Sequence, residues 1–122
     1  MSTSSHNASL ADLISQLGEN ADTVSFEQVM QVISENYSYT PTTFNNGDLL
    51  NEAGTNEGSC KIFYFAKLNG LTEQQTLACF GRYYRDDVVK NPQGSDHGNI
   101  RNFIKNGWNK VEFNSVALAL LA

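Results

Sequence analysis

Two cysteines, Cys60 and Cys79, are all that the 122 residues contain, alongside two prolines and one tryptophan. Two thiols cannot form the dense disulfide framework by which small secreted domains are held together. No apolar run approaches the roughly 18 residues of a membrane span, and the Val116–Ala122 stretch is far too short. Met1–Leu10 combines neither the basic n-region nor the apolar h-region of an ordinary signal peptide. Basic residues are missing from the whole first half of the chain: all eight lie at or after Lys61. Residues 1–60 carry eight acids and no base, a charge of −8, and residues 61–122 carry five acids and eight bases, a charge of +3, giving −5 in all. A half that is only weakly basic, folded against one that repels phosphate, argues against nucleic acid as a partner.

What is present fits one domain. The length suits a single core, and 40 % apolar with 11 % aromatic residues supplies it. Met1–Ser9 is rich in Ser and Thr and free of acids, which predicts a disordered polar tail before a globular domain over 10–122. Leu10, Leu13, Ile14 and Leu17 fall at helical spacing and stop at Gly18. Ser25 with Gln28 forms a capping box, followed by Phe26, Val29, Met30, Ile33 and Tyr37 on one helical face. A second capping box, Thr72 with Gln75, precedes Leu77, Phe80, Gly81, Tyr84 and Val88, predicting one helix that runs to Asn91-Pro92. Ser59 and Ser95 are the expected caps of two further helices, ending near Asn69-Gly70 and Gly107. Phe80 and Trp108 are expected in the core, Val111–Phe113 as a short strand, and Ser115 as the cap of a last helical turn. The fold expected is mainly α, a compact single-domain bundle of four to five helices with at most a minor β element. Its exception is Tyr37–Gly58, where Pro41, three glycines and four asparagines allow neither helical nor strand periodicity. Loops of about 20 residues in compact domains tend to be functional, and Tyr37, Tyr39, Phe44, Leu49 and Leu50 give this one enough apolar surface to be ordered.

Chemistry-bearing residues are few. No Cys-x-x-Cys and no histidine pair at i, i+4 is present, so neither a metal nor a cofactor is expected. Gly54–Lys61 has the wrong spacing for a phosphate-binding P-loop. An enzymatic reading rests on Cys60 in a first helical turn beside Lys61, a setting that favours thiolate, with His97 as base oriented by Asp96, or on a site centred on Glu52. Arg85 and Arg101, with Asp86, Asp87 and Asp96 nearby in sequence, suit either an ion-pair web or a carboxylate clamp. Tyr39, Asn51, Glu52, Asn56, Arg85, Asp96 and Arg101 are accordingly the candidate binding residues. One cleft collecting Glu52, Asn56, Cys60, Arg85 and His97 beside the central loop is the functional expectation.

Several blocks appear in register: Tyr39-Thr40-Pro41-Thr42, Asn51-Glu52-Ala53-Gly54, Gly58-Ser59-Cys60-Lys61, Leu77-Ala78-Cys79-Phe80-Gly81, Tyr83-Tyr84-Arg85 and Asp96-His97-Gly98-Asn99-Ile100-Arg101. From about Phe26 to Phe113 the chain closely resembles the HopJ type III effector family. The resemblance implies a bacterial protein delivered through a type III secretion apparatus, and it assigns no catalytic residue. The central loop makes a protein-interaction or binding module with a protein partner the expected reading, with a housekeeping small-ligand binder or a small enzyme as the alternatives, the last disfavoured by its incomplete catalytic signature. The location expected is the cytoplasm, or outside the cell if the family's export route applies.

Overall fold

The structure, a computed structural model, describes the backbone of residues 2–121 and the side chains of residues 9–121. It is mainly helical with two small sheets. Helix α1 spans Ser2–Glu19, so it begins inside the segment expected as a disordered tail; neither Pro nor Gly interrupts the chain before Gly18. Leu13 and Leu17 turn inward from it. Helix α2, Phe26–Asn36, opens on the Ser25/Gln28 capping box and buries Val29, Val32 and Ile33.

The central segment is ordered through strands rather than as a loop. Strands β1 (Tyr37–Tyr39), β2 (Phe44–Asn46) and β3 (Leu49–Asn51) lie within it. β2 and β3 form a hairpin around Gly47, whose φ of +65° meets the positive φ that tight hairpin turns demand. Their other partners come from the far end of the chain: β4, Val111–Phe113, pairs with β2, and β5, Leu118–Leu120, pairs with β1, both antiparallel. β5 replaces the helical turn expected after Ser115.

Helix α3, Glu57–Leu68, buries Cys60, Ile62, Phe63, Phe65 and Ala66, and a helix buried on more than one face belongs in the middle. Phe63, fully buried, has the rings of Phe44, Phe80, Phe103 and Trp108 around it at centroid distances of 5.0–6.3 Å. Phe80 is core as expected, whereas Trp108 is only half-buried and covers the cluster from its edge.

The helix expected from Thr72 to Asn91 is broken. Helix α4, Glu73–Ala78, has its Thr72/Gln75 capping box, but Gly81 takes φ +59° and the chain resumes as a π-helical segment, Tyr83–Val88. Gly81 lies against the start of α2, and a Cβ there would stand 2.6 Å from the Phe26 backbone nitrogen. Helix α5, Gly98–Asn106, closes on Gly107. Neither α3 nor α5 uses its expected serine cap: their N-cap residues are Asn56 and His97, both left-handed, at φ 50° and 52°.

Gly81→Ala combines left-handed strain of about 1–3 kcal/mol with an overpacking penalty of similar size. Gly70, at φ +63° with open space around it, carries the strain alone. Urea unfolding is expected to show Gly81→Ala more destabilising than Gly70→Ala by at least about 1 kcal/mol; equal losses would mean that the Gly81–α2 approach is not constrained.

Candidate functional site

Two helix starts, α3 and α5, meet at a cleft of about 290 Å³. Phe26, Phe80 and Tyr83 provide its aromatic wall with Ile100 beside them in the lining, and Asn56, Gly58, Ser59 and residues 97–99 provide the polar one. Neither helix has a side-chain cap, so the first N–H groups of both lack the usual intramolecular acceptor.

An asparagine network holds the two starts together. Asn99 Oδ1 accepts from Asn46 Nδ2 at 3.0 Å and from Asn51 Nδ2 at 3.1 Å. Asn99 Nδ2 donates back to Asn51 Oδ1 at 2.9 Å, and Asn56 Nδ2 donates to the same oxygen at 2.7 Å. Asn46 Nδ2 also reaches the Asn99 carbonyl at 2.8 Å. Asn46, Asn51 and Asn99 are all buried; Asn51 and Asn99 use both ends of their amides, whereas Asn46 only donates and its Oδ1 is buried with no partner among the described residues. This network joins the β2–β3 hairpin to the first turns of α3 and α5.

His97 is delivered by a separate brace. Arg101 donates through Nε to the Asp96 carbonyl at 2.6 Å, through Nη2 to Asp96 Oδ1 at 2.7 Å and through Nη1 to the Asn91 carbonyl at 2.9 Å, stapling the turn before α5. The Arg101 hydrogen bond also holds the Asp96 carboxyl below its usual range. His97 Nε2 lies 3.0 Å from Asp87 Oδ2 and 3.8 Å from Asp96 Oδ2, and its ring is 5.4 Å from that of Tyr83. Asp87, not Asp96, is therefore the closer carboxylate. With Nε2 turned to Asp87, the tautomer carrying its proton there leaves Nδ1 as an acceptor.

The remaining expected residues are dispersed. Asn56 and His97 line the cleft, and Asn51 stands behind it in the amide network. Cys60 is buried, its Sγ 4.0 Å from the Thr42 carbonyl oxygen; burial pushes the thiol up, the reverse of the thiolate expected at a helix start. Tyr39 donates to Glu57 Oε2 at 3.2 Å under the Lys61 ammonium, and burial raises its phenol. Glu52 is exposed, and Arg85 lines a different cavity. The single cleft expected to gather all five residues is thus replaced by one that takes Asn56 and His97. Sequence reasoning missed Phe26, Ser59 and Tyr83 as cleft residues and Asp87 as the carboxylate beside His97; the arginine pairing it expects for Asp87 is not formed, since Arg101 pairs with Asp96, and Asp86 pairs with Lys90. Among the described residues no group of three His, Cys, Asp or Glu side chains is placed to hold a metal, and no helix is long and apolar enough to cross a membrane.

Helices packed on two small sheets around this cleft define a fold shared with a known family. The HopJ type III effector protein family model matches residues 10–118, and the chain belongs to that family. It is similar to the crystal structure of the unknown function protein VPA0580, at 46 % identity and a TM-score of 0.91, covering 92 % of this chain and 93 % of that one. Comparison with curated proteins finds no match.

Asn99→Ala deletes three buried side-chain hydrogen bonds at once, one with Asn46 and two with Asn51, while Asn46 Nδ2 keeps the residue-99 carbonyl; each such bond contributes about 0.5–1.5 kcal/mol net. The variant is expected to lose about 2–4 kcal/mol in urea unfolding, a loss under 1 kcal/mol showing that water replaces the network without cost. Cys79, buried and unpaired, has its thiol pushed from an ordinary 9.0 up to about 12. In the unfolded chain it ionises first, so its contribution to stability is complete below pH 9 and is lost as pH rises towards 12. The slope is at most about 1.4 kcal/mol per pH unit. Cys79→Ala is expected to flatten the decline of stability between pH 9 and 11 relative to the parent, as read by urea midpoints at each pH; parallel declines would refute it.

Proposed function

We propose that this HopJ family member is a binding module whose ligand site is the cleft between the starts of α3 and α5. The observation that carries the reading is the cleft itself. Its aromatic wall of Phe26, Phe80 and Tyr83 faces a rim of Ser59, His97 and uncapped backbone amides in one hollow of about 290 Å³. Ligand sites commonly combine such apolar walls with a few convergent polar groups. Amides at helix starts favour acceptor oxygens, particularly anionic ones. The ligand that fits is small, with a flat apolar body and an oxygen-rich head. A terminal group displayed by a protein partner has the same chemistry and would suit an effector-like role. Catalysis through a Cys60/His97 pair gains no support, because the Cys60 thiol faces Thr42 and is held protonated by burial.

Phenyl phosphate is a suitable probe, its ring matching the wall and its head the rim. Titration followed by amide chemical shifts is expected to move Gly58, Ser59, Gly98 and Asn99 saturably. Ser59→Glu, which places a carboxylate on the rim of a half-buried position, is expected to weaken that binding at least tenfold. Saturable binding that Ser59→Glu leaves unchanged, or no binding by the parent, would remove this cleft as the site.

A further inference from the structure

No lysine or arginine lines the cleft between α3 and α5, and the charges that stand closest to His97 are carboxylates. Asp87 of the π-helical segment lies 3.0 Å from Nε2, and Asp96 of the turn before α5 lies at 3.8 Å. Asp96 is already answered by Arg101 of α5 at 2.7 Å. Arg82 lies over the Tyr83 ring and pairs with Glu27 of α2 at 3.1 Å. From α3 and β3 the neighbours are uncharged: Asn56, Gly58 and Ser59 in the lining, and Leu49 against Gly98. Asp87 therefore has no ion pair with lysine or arginine among the described residues, and beside a neutral imidazole its charge opposes an oxyanion in the cleft.

The contact with Asp87 decides where a second proton goes. Nε2, held against Asp87 Oδ2, keeps the first, so protonation of the ring takes place at Nδ1. Nδ1 has no hydrogen-bond partner among the described residues. Protonation then changes two things together: the imidazolium answers the Asp87 charge, and a ring nitrogen that accepted becomes a donor. The His97 side chain is 30 % exposed, so solvent protons and a ligand both reach it. A cation at the start of α5 is opposed by the helix dipole, and a bound oxyanion relieves that opposition.

We propose that His97 makes oxyanion binding in this cleft proton-dependent, with ligand and proton taken up together and released together. This control presupposes that the cleft is the ligand site, as proposed above, and adds how that site is regulated. Histidine is the side chain that changes charge between about pH 5 and 8. The complex favours the imidazolium, so affinity is complete on the acid side of the His97 titration and is lost as pH rises through it. One linked proton sets the slope at about tenfold per pH unit at most.

Benzenesulfonate is the probe, because its head keeps one negative charge throughout, whereas a phosphate monoester itself titrates at about pH 6. Isothermal titration at steps from about pH 5.5 to about pH 8.5 is expected to show affinity falling at least tenfold, in step with the His97 ring resonances followed by NMR. His97→Asn, a residue that tolerates the left-handed backbone at φ 52°, is expected to bind with an affinity that varies less than twofold over the same range. His6 remains in that variant, so a pH dependence surviving there overturns the proposal. Asp87→Asn is expected to lower the midpoint of the ring titration and of the affinity change together. Should His97→Asn fail to fold, Asp87→Asn serves instead, and an affinity midpoint that it leaves unmoved overturns the proposal. Equal parent affinity at the two extremes of pH overturns the proton control and leaves the cleft in place. Absence of saturable binding at every pH removes the cleft as the site, and the control with it.

Discussion

The amide network of Asn46, Asn51, Asn56 and Asn99 is the constraint on which the arrangement of this protein turns. Helices α3 and α5 begin without side-chain caps and with left-handed N-cap residues, neither of which favours a helix start by itself. What fixes them is the β2–β3 hairpin, reached through side-chain amides that alternate as donor and acceptor. Asn51 and Asn99 each take part in three of its side-chain bonds, so removing either one leaves several partners short at once, and the network acts as a unit rather than as separate bonds. Because α3 also carries Phe63 at the centre of the aromatic cluster, the polar brace and the apolar core lock the same helix from two sides.

Much of the helical framework was legible in the sequence, for a local reason. The capping boxes at Ser25/Gln28 and Thr72/Gln75 involve residues three apart, and the faces behind them repeat within a few turns. Elements settled by distant partners were not legible. β1 and β2 find β5 and β4 more than sixty residues away, and strands of three residues are too short for alternation to stand out. The break at Gly81 is similar: helical spacing continues through it from Leu77 to Val88, and only the approach of the α2 backbone, a tertiary fact, demands glycine there.

For the candidate site, residue types were legible and their grouping was not. His97 and Asn56 stood out as polar residues at glycine-rich helix entries, and both line the cleft. The neighbour of His97 was misjudged because adjacency in sequence favours Asp96, whereas Arg101 holds that carboxylate and frees the ring for Asp87 across the turn. Cys60 shows the limit of arguing from a helix start alone. The dipole and Lys61 favour thiolate, but burial outweighs them, and burial depends on which face of α3 meets the core.

Gly81 connects these observations. By ending α4 early and redirecting the chain, it lets the following π-helical segment present neighbouring residues to two different places: Tyr83 to the aromatic wall of the cleft, and Tyr84 with Arg85 to the second cavity. A regular helix continuing from Thr72 would place these side chains by the 100° step of its spacing, and the wider π turn alters that division. π-Helical turns recur at functional sites. Here the same six residues, Tyr83–Val88, separate two hollows and contribute to both, while Asp87 from the same turn orients His97. A substitution that restored regular helix through Gly81 would therefore disturb the cleft and the Arg85 cavity together, even though no single side chain is shared between them.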